Sequence, residues 1–334
     1  MIKVTIKDVA KEAGVATSTV SRVLSNNPKI SEETKAKVNE AIKKLNYKPN
    51  AIARSLANNK TKILGVVLPS EADDLLTNPF FINAMKGMSI YAQNKNYYIT
   101  YVFAKDGKNE FESIKEITNT NLIEGIILLR VNENDESIKF LNNIEFPFVA
   151  IGRPEKTEDI LWVDNDNFQA MYNVVNRLIQ KGHKKIGFIG AIKTLNMSKD
   201  RLKGYKMALE VNGLNYDEEL VAHKQLFKED KGYDAAKELL SKNEITAIVT
   251  TDDLLAFGVS QLLNEKNLEK ISLVGFNNIQ LSKYQTPPLA SVDINADDLG
   301  YYAAKLLIEK LENQDIVNTH YIVNTEFIER ESFK

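Results

Sequence analysis

The chain of 334 residues lacks cysteine entirely and has only three histidines, His183, His223 and His320. Without cysteine, no disulfide, thiolate metal site or thiol nucleophile can form, and three histidines so far apart in sequence do not indicate a metal centre. No run approaches the roughly 18 consecutive apolar residues of a membrane-spanning helix, and the start Met1–Thr5 lacks the apolar run of a signal peptide. We therefore expect no metal, no membrane partner and a cytoplasmic location.

Sequence motifs of common enzymes are missing as well. A nicotinamide-dependent oxidoreductase would carry Gly-x-Gly-x-x-Gly after a strand, and the nearest segment, Gly187–Gly190, lacks that spacing. The sequence also contains no phosphate-binding loop and no Ser/His/Asp order typical of hydrolases. We expect a protein that is not an enzyme and that needs no cofactor.

The net charge of −2 hides an uneven distribution of charge. Residues 1–60 hold twelve basic and five acidic side chains, a net charge of +7, which leaves −9 for the rest of the chain. Since the length exceeds that of a single hydrophobic core, two or three folding units are expected. A basic first unit on an acidic body favours contact between that unit and a polyanion, with a solvated basic surface as the simpler alternative.

The basic segment contains the signals of three short helices. Thr5 and Asp8 are spaced as an N-cap and its partner, and Gly14 suits the left-handed residue that ends a helix. A second helix is predicted over 17–24 and a third from Ser31, which is followed by glutamates favourable to a helix N-terminus. Two short helices around a glycine-containing turn predict a helix-turn-helix, whose second helix enters the major groove of DNA.

These segments resemble a known family. The runs Thr5–Val15, Thr19–Leu24 and Leu45–Asn50 are similar to the headpiece of the lactose/galactose repressor family. One departure is Ala16, where many members have a serine that caps the recognition helix, so the start of that helix is open by one residue. The resemblance implies that residues 1–49 form the DNA-binding headpiece of a transcriptional repressor.

The resemblance also implies which side chains meet DNA. Thr17, Ser18 and Arg22 would reach base edges, and Arg22 suits a bidentate contact to guanine, with a phosphate contact as the alternative. Tyr47 would contact a phosphate or pack against the third helix. The remaining candidates, most of them suited to phosphate contacts, are Thr5, Ser21, Lys29, Ser31, Thr34 and Asn50.

Residues 50–61 form the predicted hinge. Pro49 blocks continuation of the third helix, and Asn50 is a good N-cap for a new helix of two turns. So short a helix is marginal alone and needs a partner, which the twin segment of a second subunit would supply. In the family, such paired helices lie in the minor groove, where a leucine opens a base step; an ordinary linker is the alternative. The resemblance thus implies a homodimer on a pseudo-palindromic operator, with hinge contacts from Ala53, Arg54 and Leu56.

From Lys62 onward, apolar strand-like runs alternate with amphipathic helical stretches. This alternation predicts parallel sheets, and because it restarts after Asp164, two similar lobes are expected. The predicted fold class is therefore an α/β body of the periplasmic-binding-protein-like kind, behind an all-α headpiece. The body should span 62–334, with one lobe over 62–163 and 295–323 and the other over 164–292 and 324–334.

Ligands of such sheets bind beyond the carboxyl ends of the strands, here in the cleft between the lobes. By resemblance to the family, Arg201 grips hydroxyls or a carboxylate, and an aromatic residue after the first strand covers the ligand. In the pair Asp252–Asp253, we expect Asp253 to cap the following helix and Asp252 to bind ligand. The candidate effector-contacting residues are Phe80, Phe81, Arg153, Trp162, Arg201, Asp252 and Asn277, with core packing as the alternative for the three large aromatic ones.

Arginine, aspartate, asparagine and aromatic side chains together suit a neutral polyhydroxylated ligand. Within the family, the headpiece and the segment Asn78–Phe81 most resemble repressors of maltose or maltodextrin operons. The resemblance therefore predicts a repressor of a carbohydrate-utilisation operon that a small sugar releases from DNA. One alternative is a catabolite-control regulator with a phosphorylated carrier protein as co-repressor. The other is an extracytoplasmic sugar-binding protein, against which the basic headpiece argues.

Overall fold

The computed structural model describes residues 4–24, 27–47, 60–68, 78–103, 109–242, 244–313 and 318–334. The chain divides into two compact units, Met1–Thr61 and Lys62–Lys334. The described part of the first unit is helical, and the second unit alternates strands and helices.

The first unit contains three helices, α1 (Ile6–Ala13), α2 (Thr17–Leu24) and α3 (Glu32–Lys44). The start of α1 is held by Asp8, whose Oδ2 accepts hydrogen bonds of 2.8 Å from both the backbone N–H and the hydroxyl of Thr5. Gly14 ends the helix with φ of 65°, a conformation that costs glycine little. Both predicted helix signals are therefore confirmed.

The three helices share a small core. Its buried members are aliphatic and lie on the inward-facing side of each helix, as an amphipathic pattern requires. They are Val9, Ala10, Val20, Val23, Val38 and Ala41. Burying one valine contributes about 1.5–3 kcal/mol, so the loss of any of the larger ones would remove much of the stability of a unit this small.

The second unit contains two six-stranded sheets. The strands are β1 (Ile63–Val67), β2 (Tyr98–Val102), β3 (Gly125–Leu128), β4 (Phe148–Ile151), β5 (Leu161–Asn165), β6 (Ile186–Ala191), β7 (Val221–Lys224), β8 (Ala247–Thr250), β9 (Ser272–Phe276), β10 (Ala290–Asp293), β11 (His320–Val323) and β12 (Glu326–Ile328). The first sheet has the order β11-β5-β4-β3-β1-β2 and the second the order β12-β10-β9-β8-β6-β7. All pairings are parallel except that of β10 with β12. The predicted α/β class with parallel sheets is confirmed.

Helices follow most of the strands and cover the sheets. They are α4 (Pro79–Asn94), α5 (Glu110–Thr118), α6 (Glu136–Asn143), α7 (Asn167–Gln180), α8 (Asn196–Val211), α9 (Glu229–Lys242), α10 (Asp253–Glu265) and α11 (Ala296–Leu311), with short 3-10 helices at Glu218–Leu220 and Gln280–Tyr284. The sequence pattern indicated seven of these α-helices and missed α6. It also missed the short strands β5, β10 and β12.

The two sheets define two lobes, because the chain passes between the sheets at three places. The N-terminal lobe holds the first sheet and the C-terminal lobe the second. Asn165, the last residue of β5, ties the three passages together: its Nδ2 donates to the carbonyl oxygens of Ile294 at 3.0 Å and Val323 at 2.9 Å. One buried amide thus bonds to both of the other segments that link the lobes.

Candidate functional site

Helix α2 of the headpiece presents a polar face to solvent. Val20 and Val23 are buried, so the helix is anchored by one side only. On the other side, four polar residues are exposed: Thr17, Ser18, Ser21 and Arg22. This face has the hydroxyl and guanidinium groups that sequence reasoning assigned to base edges and phosphates.

The other predicted DNA-contacting residues differ in their exposure to solvent and in their hydrogen bonds. Thr5 and Lys29 are exposed, whereas Tyr47 is half-buried and packs against the headpiece core. Ser31 is the N-cap of α3, and its hydroxyl lies 2.9 Å from that of Thr34. The predicted hinge contacts Asn50, Ala53, Arg54 and Leu56 lie outside the described residues.

A cavity lies between the two lobes of the body, at the carboxyl ends of both sheets. Its empty space, counted with the mouth that opens to solvent, is about 910 Å³. The polar lining comes from both lobes: Asn78, Arg130, Asp164, Asn165, Asn167, Arg201, Asp252 and Asn277. A concave site with a few convergent polar groups, open to solvent, is typical of a small-molecule binding site.

Arg201 on α8 is the central cation of this cavity. Its side chain is only 2% exposed, and its guanidinium lies over the ring of Phe276 at 4.1 Å from the centroid. Nε donates to Oδ1 of Asn167 at 2.9 Å, and one terminal nitrogen donates to the carbonyl oxygen of Thr251 at 2.6 Å. These contacts fix the plane of the fork while it still lines the cavity.

Asp252 has two functions, one for each carboxylate oxygen. Oδ1 accepts from the backbone N–H of Leu254 at 2.7 Å, so Asp252 is the N-cap of α10. Oδ2 accepts from the side-chain amides of Asn277 at 2.7 Å and Asn78 at 3.2 Å. Because Asn78 belongs to the N-terminal lobe, this second oxygen is a meeting point of the two lobes.

The prediction that Asp253 caps α10 is therefore wrong. Asp253 is fully buried on the far side of the turn, where Oδ2 accepts from Ser282 and from the backbone N–H of Ile279, and Oδ1 accepts from Ser291. A backbone turn places the first aspartate over the N–H groups of the helix and the second one in the core. Asp253 supports the 3-10 helix Gln280–Tyr284 and does not line the cavity.

Burial dominates the ionisation of the cavity. It raises the pKa of Asp164 and of Asp252 to about 6, although backbone hydrogen bonds and the charge of Arg201 act in the opposite direction. Burial likewise lowers the pKa of Arg201 to about 10, against the charges of Asp252 and Asp164, which raise it. At neutral pH the guanidinium of Arg201 stays protonated and faces the carboxylates of Asp164 and Asp252. These charges compensate one another within the site, which leaves little net charge to attract a charged ligand.

Apolar side chains complete the cavity wall. Phe80 and Phe81 both line it, with ring centroids 5.2 Å apart in an edge-to-face arrangement. Both also pack against the central core, so core packing and lining are not exclusive for these two residues. On the opposite lobe, Ile192, Met197 and Phe227 line the cavity.

Two predicted effector-contacting residues do not line the cavity. Trp162 on β5 is 4% exposed and lies in the core cluster beside α5 and α6, with its ring stacked on His320 at 4.5 Å. The guanidinium of Arg153 lies 5.5 Å from the centre of the Trp162 ring, so it is also directed away from the ligand space. Neither residue is among those that line the cavity, so the structure does not support the ligand assignment of either: Trp162 packs in the core, and Arg153 lies beside it.

Sequence reasoning missed several lining residues. Asp164 and Asn167 went unnoticed because β5 was not recognised, although the polar run Asp164–Asn167 after an apolar segment was a usable signal. Arg130 follows β3 and is paired with Glu110, and its Nε is buried without a hydrogen-bond partner among the described residues. For Arg130, the usable sequence signal was an arginine directly after a buried strand.

In the described residues, no helix has the length and apolar character to cross a membrane, and no group of three or more metal-ligating side chains comes together.

The comparison with known proteins identifies the family. The model for bacterial regulatory proteins of the lacI family matches residues 5–50, and that for a periplasmic binding protein-like domain matches residues 175–333. The HTH-type transcriptional regulator MalR of Streptococcus pneumoniae is 39% identical over 310 residues, covering 92% of each chain. The chain belongs to the lacI family of bacterial regulatory proteins. It is a transcriptional regulator, and its relatives are named regulators, not enzymes.

Solved structures of lacI-family regulators share its fold. The CelR–cellobiose complex is 27% identical with a TM-score of 0.77, covering 98% of this chain and 99% of that chain. A probable maltose operon transcriptional repressor malR from Staphylococcus aureus is 25% identical with a TM-score of 0.73, covering 82% of this chain and 99% of that chain. The predicted fold class and family are thus confirmed.

Proposed function

We propose that this lacI-family regulator represses a carbohydrate-utilisation operon and is released from its operator by a small neutral sugar, maltose or a maltodextrin. The headpiece reads DNA through the exposed face of α2, and the cleft between the lobes binds the sugar. A repressor acts on the chromosome, so the proposal places the protein in the cytoplasm.

The chemistry of the cleft carries the sugar part of this proposal. A sugar hydroxyl both donates and accepts, and the cavity offers carboxylate acceptors, a guanidinium donor and four asparagine amides that do both. The rings of Phe80, Phe81 and Phe227 supply apolar surface for the C–H faces of a sugar ring. An anionic ligand is disfavoured because the carboxylates of Asp164 and Asp252 offset the guanidinium of Arg201, and the second lining arginine, Arg130, is already paired with Glu110.

Maltose is proposed on the basis of the relatives. The protein in the 25% identical structure is described as a probable maltose operon repressor, and the 27% identical structure is a CelR–cellobiose complex, so a regulator of the same fold binds a disaccharide.

The headpiece would bind as one half of a homodimer. Exposed apolar side chains on the body support this part of the proposal, since Ile82 and Ile90 on α4 are each 47% exposed and Tyr98 on the edge strand β2 is 68% exposed. Apolar surface of this kind is suited to a protein interface. Two headpieces would then meet successive major grooves of a pseudo-palindrome, with the hinge segments in the minor groove between them.

Contacts between the lobes offer a route from the sugar to DNA. The backbone N–H of Glu133 donates to the carbonyl oxygen of Thr194 at 2.8 Å, and the N–H of Asn196 donates to that of Val131 at 3.1 Å. A sugar hydroxyl that donates to Oδ2 of Asp252 would compete with Asn78 and change how the lobes meet. Sugar binding would thus alter the separation of the two hinges in a dimer, and a coupling of about 1–3 kcal/mol is typical of allosteric proteins.

The test is a titration of operator binding with sugars. The operator would be obtained by selection from random duplexes, and its affinity for the full-length protein measured by fluorescence anisotropy with maltose, maltotriose, trehalose, sucrose or cellobiose present. We expect maltose or maltotriose to weaken operator binding at least about fivefold. A response only to another sugar would replace the ligand, and a response to none would remove the sugar proposal while leaving the DNA proposal intact.

The hinge is tested with a leucine pair. Leu56→Ala should weaken binding to the selected operator much more than binding to random duplex, because the minor-groove wedge serves specific binding. Leu122→Ala, at a position in the body that is 45% exposed, is the control and should change neither affinity. Equal losses on operator and random duplex for Leu56→Ala would contradict a wedge role.

A further inference from the structure

A second pocket, separate from the cleft, lies in the C-terminal lobe between α8 and the edge strand β7. Its lining residues are Lys193, Ser198, Lys199, Leu202, Lys206, Tyr216, Glu218, Val221 and His223. We call it the lysine pocket. It shares no lining residue with the cleft cavity, and no residue assigned to sugar or DNA contact lines it.

The lysine pocket carries unbalanced positive charge. Lys199 is neutralised by Glu133, whose carboxylate lies 2.7 Å from its ammonium group. In the described part of the chain, neither Lys193 nor Lys206 forms an ion pair, and Lys206 lies over the ring of Tyr216 at 4.1 Å from the centroid. Glu218 is the one carboxylate in the lining, so two free ammonium groups outnumber it.

His223 supplies a hydrogen-bond donor to the lysine pocket. It is on β7 opposite Gly190 of β6, and a side chain at Gly190 would bring its Cβ within 3.0 Å of the Nδ1 of His223, so the glycine makes room for the ring. Nδ1 is buried and has no hydrogen-bond partner among the described residues. A proton on Nδ1 would be a buried donor without an acceptor, so the neutral ring carries its proton on Nε2, which is left to meet a ligand.

The surroundings of His223 are short of negative charge. Burial, followed by the charges of Lys193 and Lys206, lowers the pKa of the imidazole to about 4. The charged or titratable groups that line the pocket with it are Lys193, Lys199, Lys206, Tyr216 and Glu218. Lys193 and Lys206 both line the same pocket as this imidazole, so both can face one bound anion.

We propose that the lysine pocket binds a small dianion, a phosphate or a phosphate monoester, held by Lys193, Lys206 and the Nε2–H of His223. Lysine binds phosphate as a point charge, and an N–H donor supplies direction. Tyr216, Leu202 and Val221 give the pocket an apolar wall that would accept the organic part of a monoester. The site is distinct from the cleft, so it does not depend on the identity of the sugar.

The test uses the histidine side chains of the full-length protein as reporters. With three histidines in the chain, the imidazole signals in a heteronuclear NMR spectrum are assigned by comparison with His223→Gln, and His183 and His320 serve as internal references. The signals are followed through a pH titration in sodium chloride, in inorganic phosphate and in glycerol 3-phosphate, all at one ionic strength. We expect either phosphate to raise the pKa of His223 by about one unit or more, because a nearby anion favours the imidazolium.

Paired substitutions locate the anion. Lys193→Gln with Lys206→Gln should raise the dissociation constant of the phosphate at least about tenfold. The matched control is Lys237→Gln with Lys266→Gln, which removes the same charge from two exposed lysines of the same lobe and should leave the constant within about twofold. Should the double variant fail to fold, Lys193→Gln alone, at an exposed position, still tests the site.

The outcomes separate the two ligand sources and the failure of the proposal. Tighter binding of glycerol 3-phosphate than of phosphate would assign a monoester, and the reverse order would assign the free ion. The same pKa of His223 in sodium chloride and in phosphate would overturn the site. An equal loss of phosphate affinity in the control variant, Lys237→Gln with Lys266→Gln, would overturn it as well. Neither result would bear on sugar binding in the cleft.

Discussion

Asn277 donates a hydrogen bond of 2.7 Å to Oδ2 of Asp252 from a backbone with φ of 98°. Few residues other than glycine adopt that conformation, and asparagine is among those that tolerate positive φ best. The strained residue therefore holds in place the carboxylate that caps α10 and faces the cleft.

Substitutions at Asn277 should separate strain from binding. Asn277→Gly relieves the backbone but removes the amide, so we expect nearly normal thermal unfolding and sugar affinity lowered about tenfold. Asn277→Ala removes the amide and keeps the strain, so it should also lose about 1–2 kcal/mol of stability. Calorimetry of unfolding and of sugar binding measures both quantities. Wild-type affinity in either variant would show that Asn277 does not position Asp252.

Buried carboxyls should give the body a characteristic pH dependence. Burial raises the pKa of Asp253 to about 7, from an ordinary value of 3.8. The folded state thus holds this proton more tightly than the unfolded state, and the contribution of Asp253 to the free energy of unfolding falls as the pH rises from about 4 to about 7. Below pH 4 both states are protonated, and above pH 7 the loss is complete.

Asp253→Asn tests this dependence, because the amide cannot ionise. Relative to the wild type, the variant should gain about 3 kcal/mol between pH 4 and pH 7, whatever its offset from altered hydrogen bonds. Chemical unfolding at several pH values provides the measurement. The exposed Asp234→Asn is the control and should track the wild type; a constant offset for Asp253→Asn across the range would refute the expectation.

Arg22 and Lys29 should affect DNA binding in different ways. Both are exposed in the headpiece, but Arg22 lies on the polar face of α2 and Lys29 follows that helix. Arg22→Ala should cost about 1–3 kcal/mol on the selected operator and relax the preference at one base pair. Lys29→Ala should weaken binding to all duplexes alike and reduce the salt dependence by about one counterion. If the DNA affinities of Arg22→Ala and Lys29→Ala depended in the same way on salt concentration and on duplex sequence, the two residues would not have these different roles.

The exposed isoleucines of α4 should matter for self-association. Ile82→Asp or Ile90→Asp places a charge on apolar surface, and we expect the dimer dissociation constant to rise at least about tenfold. Val211→Asp, at a residue that is 62% exposed on α8, is the control and should leave it unchanged. Sedimentation equilibrium reports the constant. A dimer equally strong in all three variants would place the interface elsewhere.

The sequence predicted the framework well where patterns are local. The N-cap pair Thr5 and Asp8, the stop at Gly14 and the buried face of α2 each depend on residues within one or two turns, so propensity and structure agree. Long apolar runs such as that of β6 likewise predict a buried parallel strand without further information.

The site was less predictable because its geometry depends on single backbone turns. Which of two adjacent aspartates reaches the first N–H groups of α10 is decided by the dihedral angles of Asp252, and no composition signal gives those. Trp162 and Asp164 are two residues apart and share one face of β5, so position along the strand distinguishes them: Asp164 lies next to the carboxyl end, at the cleft, whereas Trp162 lies in the core. This strand ends in polar residues, so its sequence does not read as a continuous apolar strand. Contacts between distant segments, such as Asn78 with Asp252, have no sequence signature at all.

The strands nearest the C-terminus are synthesised only after most of both sheets. The N-terminal lobe receives its outer strand β11 from residues 320–323, and the C-terminal lobe receives β12 from residues 326–328. A nascent chain that has left the ribosome only as far as residue 318 therefore leaves β5 and β10, which are inner strands of the completed sheets, as unpaired edges, although most of each sheet is already made. Chaperones that guard open edges would be most useful at that late stage of synthesis.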